Sequence, residues 1–227
     1  MKQLYVFLVC AFIRWATRFA RARGRVVHYT HKGQLYMTRY ALWGHLTGDC
    51  SDATLAELEW LHGRRTFLSA MWVKVRVHLP NLYVHQMHAP DLDPSLHDHP
   101  WPWALSWVML GGYTEWRDAR QERKRGSTFC KMPIPEWAET VGRELKAPAL
   151  NVLRGTTFHR IGELQTFYDR SYGSASNANA CATWTLFLAG PRAGKKPWGY
   201  IVKGRGYVSH QERHAEFDGK EIREGLR

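Results

Sequence analysis

The chain from Leu96 to Glu115 reads "LHDHPWPWALSWVMLGGYTE". Two histidines one residue apart lead into Pro-Trp-Pro-Trp, an apolar run, a double glycine and Tyr-Thr-Glu. Residues i and i+2 of a strand share a face, so the spacing predicts that His97 and His99 point together. Neutral imidazole suits iron, zinc, copper or nickel, and two from one strand begin a metal site. The bland alternative is a histidine-rich loop leading into a buried strand. "ALSWVML" reads as that strand, closed by Gly111-Gly112, with "YTEWRD" as its hairpin partner. A third ligand would come from "GTTFHRI", where His159 sits on a later strand able to lie beside the first.

Outward from this stretch, strands dominate. "RVVHYTHKGQLYMTRYALWG" reads as two strands joined at Lys32-Gly33, with Tyr36, Thr38 and Tyr40 on one side. "WVKVRVHL" alternates as a half-buried strand, and "NLYVHQMH" is another, ended by "APDLDPS". "ALNVLRG", "TFHRIGEL" and "TWTLFLAGP" continue the pattern. "SDATLAELEWLHGRR" carries an N-cap at Ser51 or Asp52 and leucines at helical spacing, a helix outside the strands. "RDARQERKRG" reads as a solvated hairpin or loop, "IPEWAETVGRELKAP" holds possible helical turns, and "DRSYGSASNANACA" is a flexible polar loop.

With 227 residues, the chain has room for one sizeable domain or at most two small ones. A net charge of +12 favours anionic partners without fixing the fold. The excess falls at Arg14–Arg25, Arg117–Arg125 and Arg192–Arg205 rather than in one patch, so nucleic-acid binding is permitted but not indicated. The four cysteines, Cys10, Cys50, Cys130 and Cys181, form no Cys-x-x-Cys pair. That excludes a thiolate zinc finger and favours free thiols in a reducing, cytoplasmic compartment.

"LYVFLVCAFI" (Leu4–Ile13) is shorter than the roughly 20 apolar residues of a membrane span. Its charge follows the apolar run, unlike a secretory signal. Leu4, Phe7, Leu8 and Ala11 fall on one helical face, with Arg14, Arg18 and Arg21 as a basic stripe one turn on. A helix packed on the domain is the first expectation, and peripheral membrane contact through residues 4–25 the second. The divisions expected are an amphipathic basic helix over 1–25, one β domain over 26–210, and a charged tail, helical or frayed, over 211–227.

The spacing from His97-x-His99 to Gly111, with His159 later, resembles the cupin superfamily. Its first motif runs H-x-H-x(3,4)-E-x(6)-G and its second P-x-G-x-x-H-x-x-x-N. The frame fits, but the glutamate position holds Ala104. In "NVLRGTTFHRI" the proline is missing, and Gly155 precedes His159 by four residues rather than three. The likeness covers roughly Tyr83 to Gly190. It extends to small cupin-like proteins of bacterial and phage genomes, for which it implies no reaction. The resemblance implies a mainly β fold: a cupin-like antiparallel β-barrel of jelly-roll type, with an N-terminal helix and one or two peripheral helices. It also implies one divalent metal at His97, His99 and His159, Fe(II) favoured, with Zn, Mn or Ni as alternatives.

A three-His centre resembles that of thiol dioxygenases. The resulting expectation is a mononuclear non-haem iron(II) dioxygenase acting on a small, anionic substrate. Glu115 or His85 would complete or orient the ligands. Asp98 should point away into a loop hydrogen bond, and Arg160 should face the opposite side of its strand from His159. Arg192, Trp198, Tyr200 and Trp103 are candidates for holding substrate, with Lys195 and Lys196 beside Arg192. The rivals are a 2-oxoglutarate-dependent oxygenase with Arg170 as clamp, a non-enzymatic ligand- or partner-binding module, and zinc or manganese isomerase or hydrolase chemistry. The oligomeric state is left open.

Overall fold

A computed structural model describes residues 2–31, 33–44, 79–91, 93–126, 139–165, 167–168, 181–191, 198–209, 212–213 and 220–224. The helix expected at 51–65, nearly all of the strand expected at 72–79, most of the polar loop from 169, and Arg170, Arg192, Lys195 and Lys196 lie outside these residues.

The chain order is α1 (Lys2–Arg21), β1 (Val26–His31), β2 (Gln34–Trp43), β3 (Asn81–Met87), β4 (Leu96–His97), β5 (Trp103–Leu110), β6 (Gly112–Asp118) and α2 (Ala119–Lys124). There follow β7 (Thr140–Lys146), β8 (Ala149–Arg154), β9 (His159–Gln165), β10 (Phe167–Tyr168), β11 (Cys181–Ala189), β12 (Gly199–Val202), β13 (Gly206–Ser209) and β14 (Lys220–Glu224). Two antiparallel sheets result. One has eight strands, β14-β1-β2-β3-β11-β5-β8 with β10 on β11, and the other six, β13-β12-β4-β9-β6-β7. Met87 and Val108 of the first meet Tyr113 and Leu145 of the second in a shared core. This is a sandwich of two sheets, and the described strands do not close into the expected barrel. The chain changes layer at Gly111, at Ala147-Pro148 and again between β9 and β10, so strand pairing stays within each sheet.

The double glycine corrects one expectation. β5 and β6 are not a hairpin: β5 pairs with β11 and β8, and β6 with β7 and β9. Both edges of β5 are taken, so the chain must leave its sheet. Gly111 makes the corner at φ 73°. A side chain there would strike the Gln165 carbonyl and Thr183, so only glycine fits.

Alternation sets the two faces of the large sheet. On β5, Ala104, Ser106 and Val108 face inward and are buried, while Trp103, Leu105 and Trp107 face outward. β3 is covered on both faces, because α1 packs on the outer side. That helix buries Val9, Cys10, Ile13, Ala16 and Ala20 against Tyr40, Val84, Trp107, Trp184 and Leu186. The packed face is therefore not the predicted one: Leu4, Phe7 and Leu8 are exposed. Ala16 and Ala20 are small enough to bring the backbone close to an outer face already filled by large rings.

Three smaller differences have local causes. Half of "RDARQERKRG" is α2, started by Asp118, whose carboxylate accepts from Gln121 N at 2.9 Å. Residues 140–146, part of a stretch read as holding possible helical turns, pair with β6 instead. The tail forms β14 along the edge of β1, where unpaired backbone groups invite a strand.

Candidate metal centre

A row of paired residues across the six-stranded sheet builds the site. His97 lies opposite Tyr200 on one side and His159 on the other, and His159 lies opposite Arg117. Directly opposed residues share a face, so Tyr200, His97, His159 and Arg117 stand side by side. His99 follows β4 outside regular structure and turns back into the group. The ring centroids of the three histidines are 5.0–5.1 Å apart. One ligand nitrogen from each lies within 4.8 Å of the others, an arrangement that could hold a metal ion.

The loop bearing His97 and His99 is clamped from both ends. Arg213 makes a two-point contact with Asp93, 2.8 and 3.0 Å, and reaches Ser95. The bond to Arg213 outweighs the effect of burial and lowers the Asp93 pKa. After His97, buried Asp98 accepts from Gly199 N at 2.8 Å and its own N–H donates to Gly199 O. Asp98 thus takes the loop bond expected of it, away from the histidines. Arg160 lies over the Trp116 ring.

Glu115 is fully buried and does not join the three nitrogens. It accepts from His159 Nδ1 at 2.8 Å through Oε1, and from Arg117 and Asn151 at 3.2 and 3.0 Å through Oε2. Burial alone would raise its pKa, but His159, Arg117 and Asn151 outweigh that and bring it to about 2. An ionised carboxylate only accepts, so His159 donates to it from Nδ1 and its Nε2 is left to face the other histidines. His99 Nε2 lies 2.9 Å from that nitrogen, the two rings sharing a hydrogen bond. Metal–imidazole bonds of roughly 2.0–2.1 Å place neighbouring ligand nitrogens about 3 Å or slightly more apart. The His99–His159 spacing therefore fits two ligands of one divalent ion, which would displace the proton they share.

Burial first, then His159, His97, Arg39 and His85, lowers the His99 pKa well below the ordinary imidazole value. Burial lowers that of His97 too, against the nearby Asp91 carboxylate. Both rings are thus kept neutral, the form a metal requires.

His85 stands apart as well. Its Nε2 accepts from Arg39 Nε at 3.1 Å, and its ring stacks 4.9 Å from Phe187. Trp198 and Tyr200 do reach the site, 6.5 Å from His99 and 5.8 Å from His97 between ring centroids. Trp103 does not: strand alternation sends it outward over Gly190. The tryptophan at the histidines is Trp101, buried and 5.0 Å from His99. Ala104, at the motif's glutamate position, packs inward with Trp101 and Phe187. Sequence reasoning also missed Arg117, Asn151 and Arg39. Only the inward register of Asn151 in "ALNVLRG" hinted at one of them.

A two-sheet antiparallel β protein with a three-imidazole, carboxylate-braced cluster is the class these features define. Compared with known proteins, the chain matches no family model and no curated sequence.

Proposed function

We propose that the chain is a cupin-like, jelly-roll metalloprotein holding one divalent ion, Fe(II) in the favoured reading, on His97, His99 and His159. In this reading it is a mononuclear non-haem iron(II) dioxygenase acting on a small anionic substrate. The observation that carries the proposal is the convergence of three imidazoles, with Glu115 accepting from Nδ1 of one of them and so turning its Nε2 toward the other two. Iron(II) with only three protein ligands supplies open positions for substrate and dioxygen.

The chain's own residues do the rest. Glu115 aims His159, and Asp98 and Asp93 hold the loop of His97 and His99. Trp101, Trp198 and Tyr200 wall the histidines with aromatic surface, as apolar ligand sites do. Arg39, buried and close enough to lower the basicity of His99, supplies positive charge that favours an anionic substrate. The 2-oxoglutarate reading is less well supported, because the Asp98 carboxylate that a facial triad would use is committed to Gly199.

Protein purified without chelator, assayed for metals by plasma mass spectrometry, tests the reading. Stoichiometric iron, lost in His97→Ala and His159→Ala, is the expected result. Oxygen uptake with candidate small acids should then proceed without 2-oxoglutarate. Zinc alone would move the reading to hydrolytic or structural roles, and failure to bind any metal on anaerobic reconstitution would end it.

A further inference from the structure

Helix α1 is apolar on two sides, and the sheet covers only one. On the other side Leu4, Phe7, Leu8 and Trp15 are 61%, 67%, 56% and 54% exposed. The neighbouring edge strand adds to this surface. Leu150 and Val152 of β8 are 61% and 53% exposed and pair with Trp107 and Leu105. They therefore share the outer face of the sheet with Trp107. Tyr5 of α1 packs its ring on Trp107 and donates to Met109 O at 2.9 Å. Exposed apolar side chains of two elements thus lie on one side of the molecule, away from the histidines.

The charge that α1 carries has one sign. The chain contains no Asp or Glu before Asp49. Arg14, Arg18, Arg21 and Arg23 are all exposed on or just after α1. Arg14 and Arg18 stand beside the apolar side chains, and the Arg23 guanidinium lies 3.8 Å over the Phe19 ring.

We propose that this face binds an anionic lipid surface, with α1 lying in the plane of the headgroups. Leu4, Phe7, Leu8 and Trp15 would sink to the acyl boundary, and the arginines would meet lipid phosphates at the rim. No helix among the described residues is long and apolar enough to cross a membrane, which fits a helix that lies on one. A nucleic acid would engage the arginines but leave Phe7 and Leu8 against water. A second copy of the chain would set arginines near arginines.

The test is co-sedimentation of the full chain with vesicles of phosphatidylcholine, with and without phosphatidylglycerol, at low and high salt. Binding should require phosphatidylglycerol and fall with salt. Neutralising two arginines (R14Q/R18Q) should weaken it roughly 25-fold, at about fivefold per cation. F7S/L8S should weaken it comparably while circular dichroism and metal content stay unchanged, since those side chains are largely exposed and lie outside the core that α1 builds. K203Q, in the turn between β12 and β13, serves as a control and should bind as the parent does. The proposal fails if the folded parent ignores anionic vesicles, or binds neutral ones equally. It also fails if the face proves to hold another partner: a dimer in sedimentation velocity that F7S/L8S dissociates, or an oligonucleotide complex that R14Q/R18Q abolishes, without vesicle binding.

Discussion

Among the described residues two groups of histidines lie close together, one between the sheets and one on the outer face of the large sheet. Inside, His97, His99 and His159 turn their nitrogens toward one another, and an ionised carboxylate fixes one tautomer. Outside, His28 Nδ1 and His88 Nε2 lie 3.0 and 3.1 Å from the same hydroxyl, that of Thr38. The outer pair is bridged: a buried hydroxyl fills the space between the rings and can both give and accept a hydrogen bond. In the inner group no such filler stands between the nitrogens. What distinguishes a candidate metal centre from a structural histidine pair is thus the polar atom between the rings, rather than the number of rings.

Substitutions can break that comparison, beginning with the largest effect. His99→Ala should abolish stoichiometric metal, whereas His88→Ala should leave metal content intact, as measured by plasma mass spectrometry. Loss of metal in His88→Ala alone would reverse the assignment. Next, Glu115→Gln removes the charge that holds His159. Metal affinity should drop roughly 10- to 100-fold, the usual cost of altering a group that orients a ligand. A chelator-competition titration gives the affinity, and long-range nitrogen–proton NMR spectra should show the tautomer lock on His159 relaxing. Unchanged affinity and tautomer would make Glu115 purely structural.

A smaller effect belongs to the outer pair. Thr38→Val leaves two rings facing each other without their shared hydroxyl and should cost about 1 kcal/mol in chemical denaturation. Metal binding should not change.

The pH dependence is the mildest test. Burial first, and then neighbouring charge, lowers the pKa of His99 strongly and that of His88 more modestly. Between each lowered value and the ordinary imidazole value of about 6.5, the unfolded chain binds the extra proton. Stability from these groups is therefore complete above that value and declines as pH falls through it toward the folded pKa. Thermal unfolding of metal-free protein should show a midpoint that drops between pH 7 and pH 5. His99→Gln should flatten that slope more than His88→Gln. The stabilising effect of added metal should shrink over the same range, because protons compete for the same nitrogens.

Much of the strand content was legible because period-two alternation in "NLYVHQM", "ALSWVML" and "TWTLFLA" reports a local property of the chain. The pairing of His97 with a strand carrying His159 was legible for the same reason, as histidine spacing limits which strands can meet. Glu115 was singled out, but whether it would bind metal or brace a ligand depended on β6 lying beside β9 rather than β4. Trp103 was chosen over Trp101 because composition marks both alike, and only the path of the chain into β5 turns one inward. Arg117 looked solvated because its neighbours in sequence are charged. It is buried because Glu115 on its own strand, Glu122 of α2 and Asn151 of β8 all meet its guanidinium.

The sequence by itself determined that the chain is built mainly of antiparallel strands, and that three histidines can meet on one face. The first follows from side-chain alternation and the second from the spacing of the histidines, although His99 reaches the group from outside the strand. The tertiary structure alone decided that the double glycine is a corner between sheets, and that the visible apolar face of α1 is the one left exposed. It also put a carboxylate behind His159 rather than in front of it. These outcomes rest on which strand edges are already occupied and which surfaces are already filled, and contacts between residues distant in sequence set both.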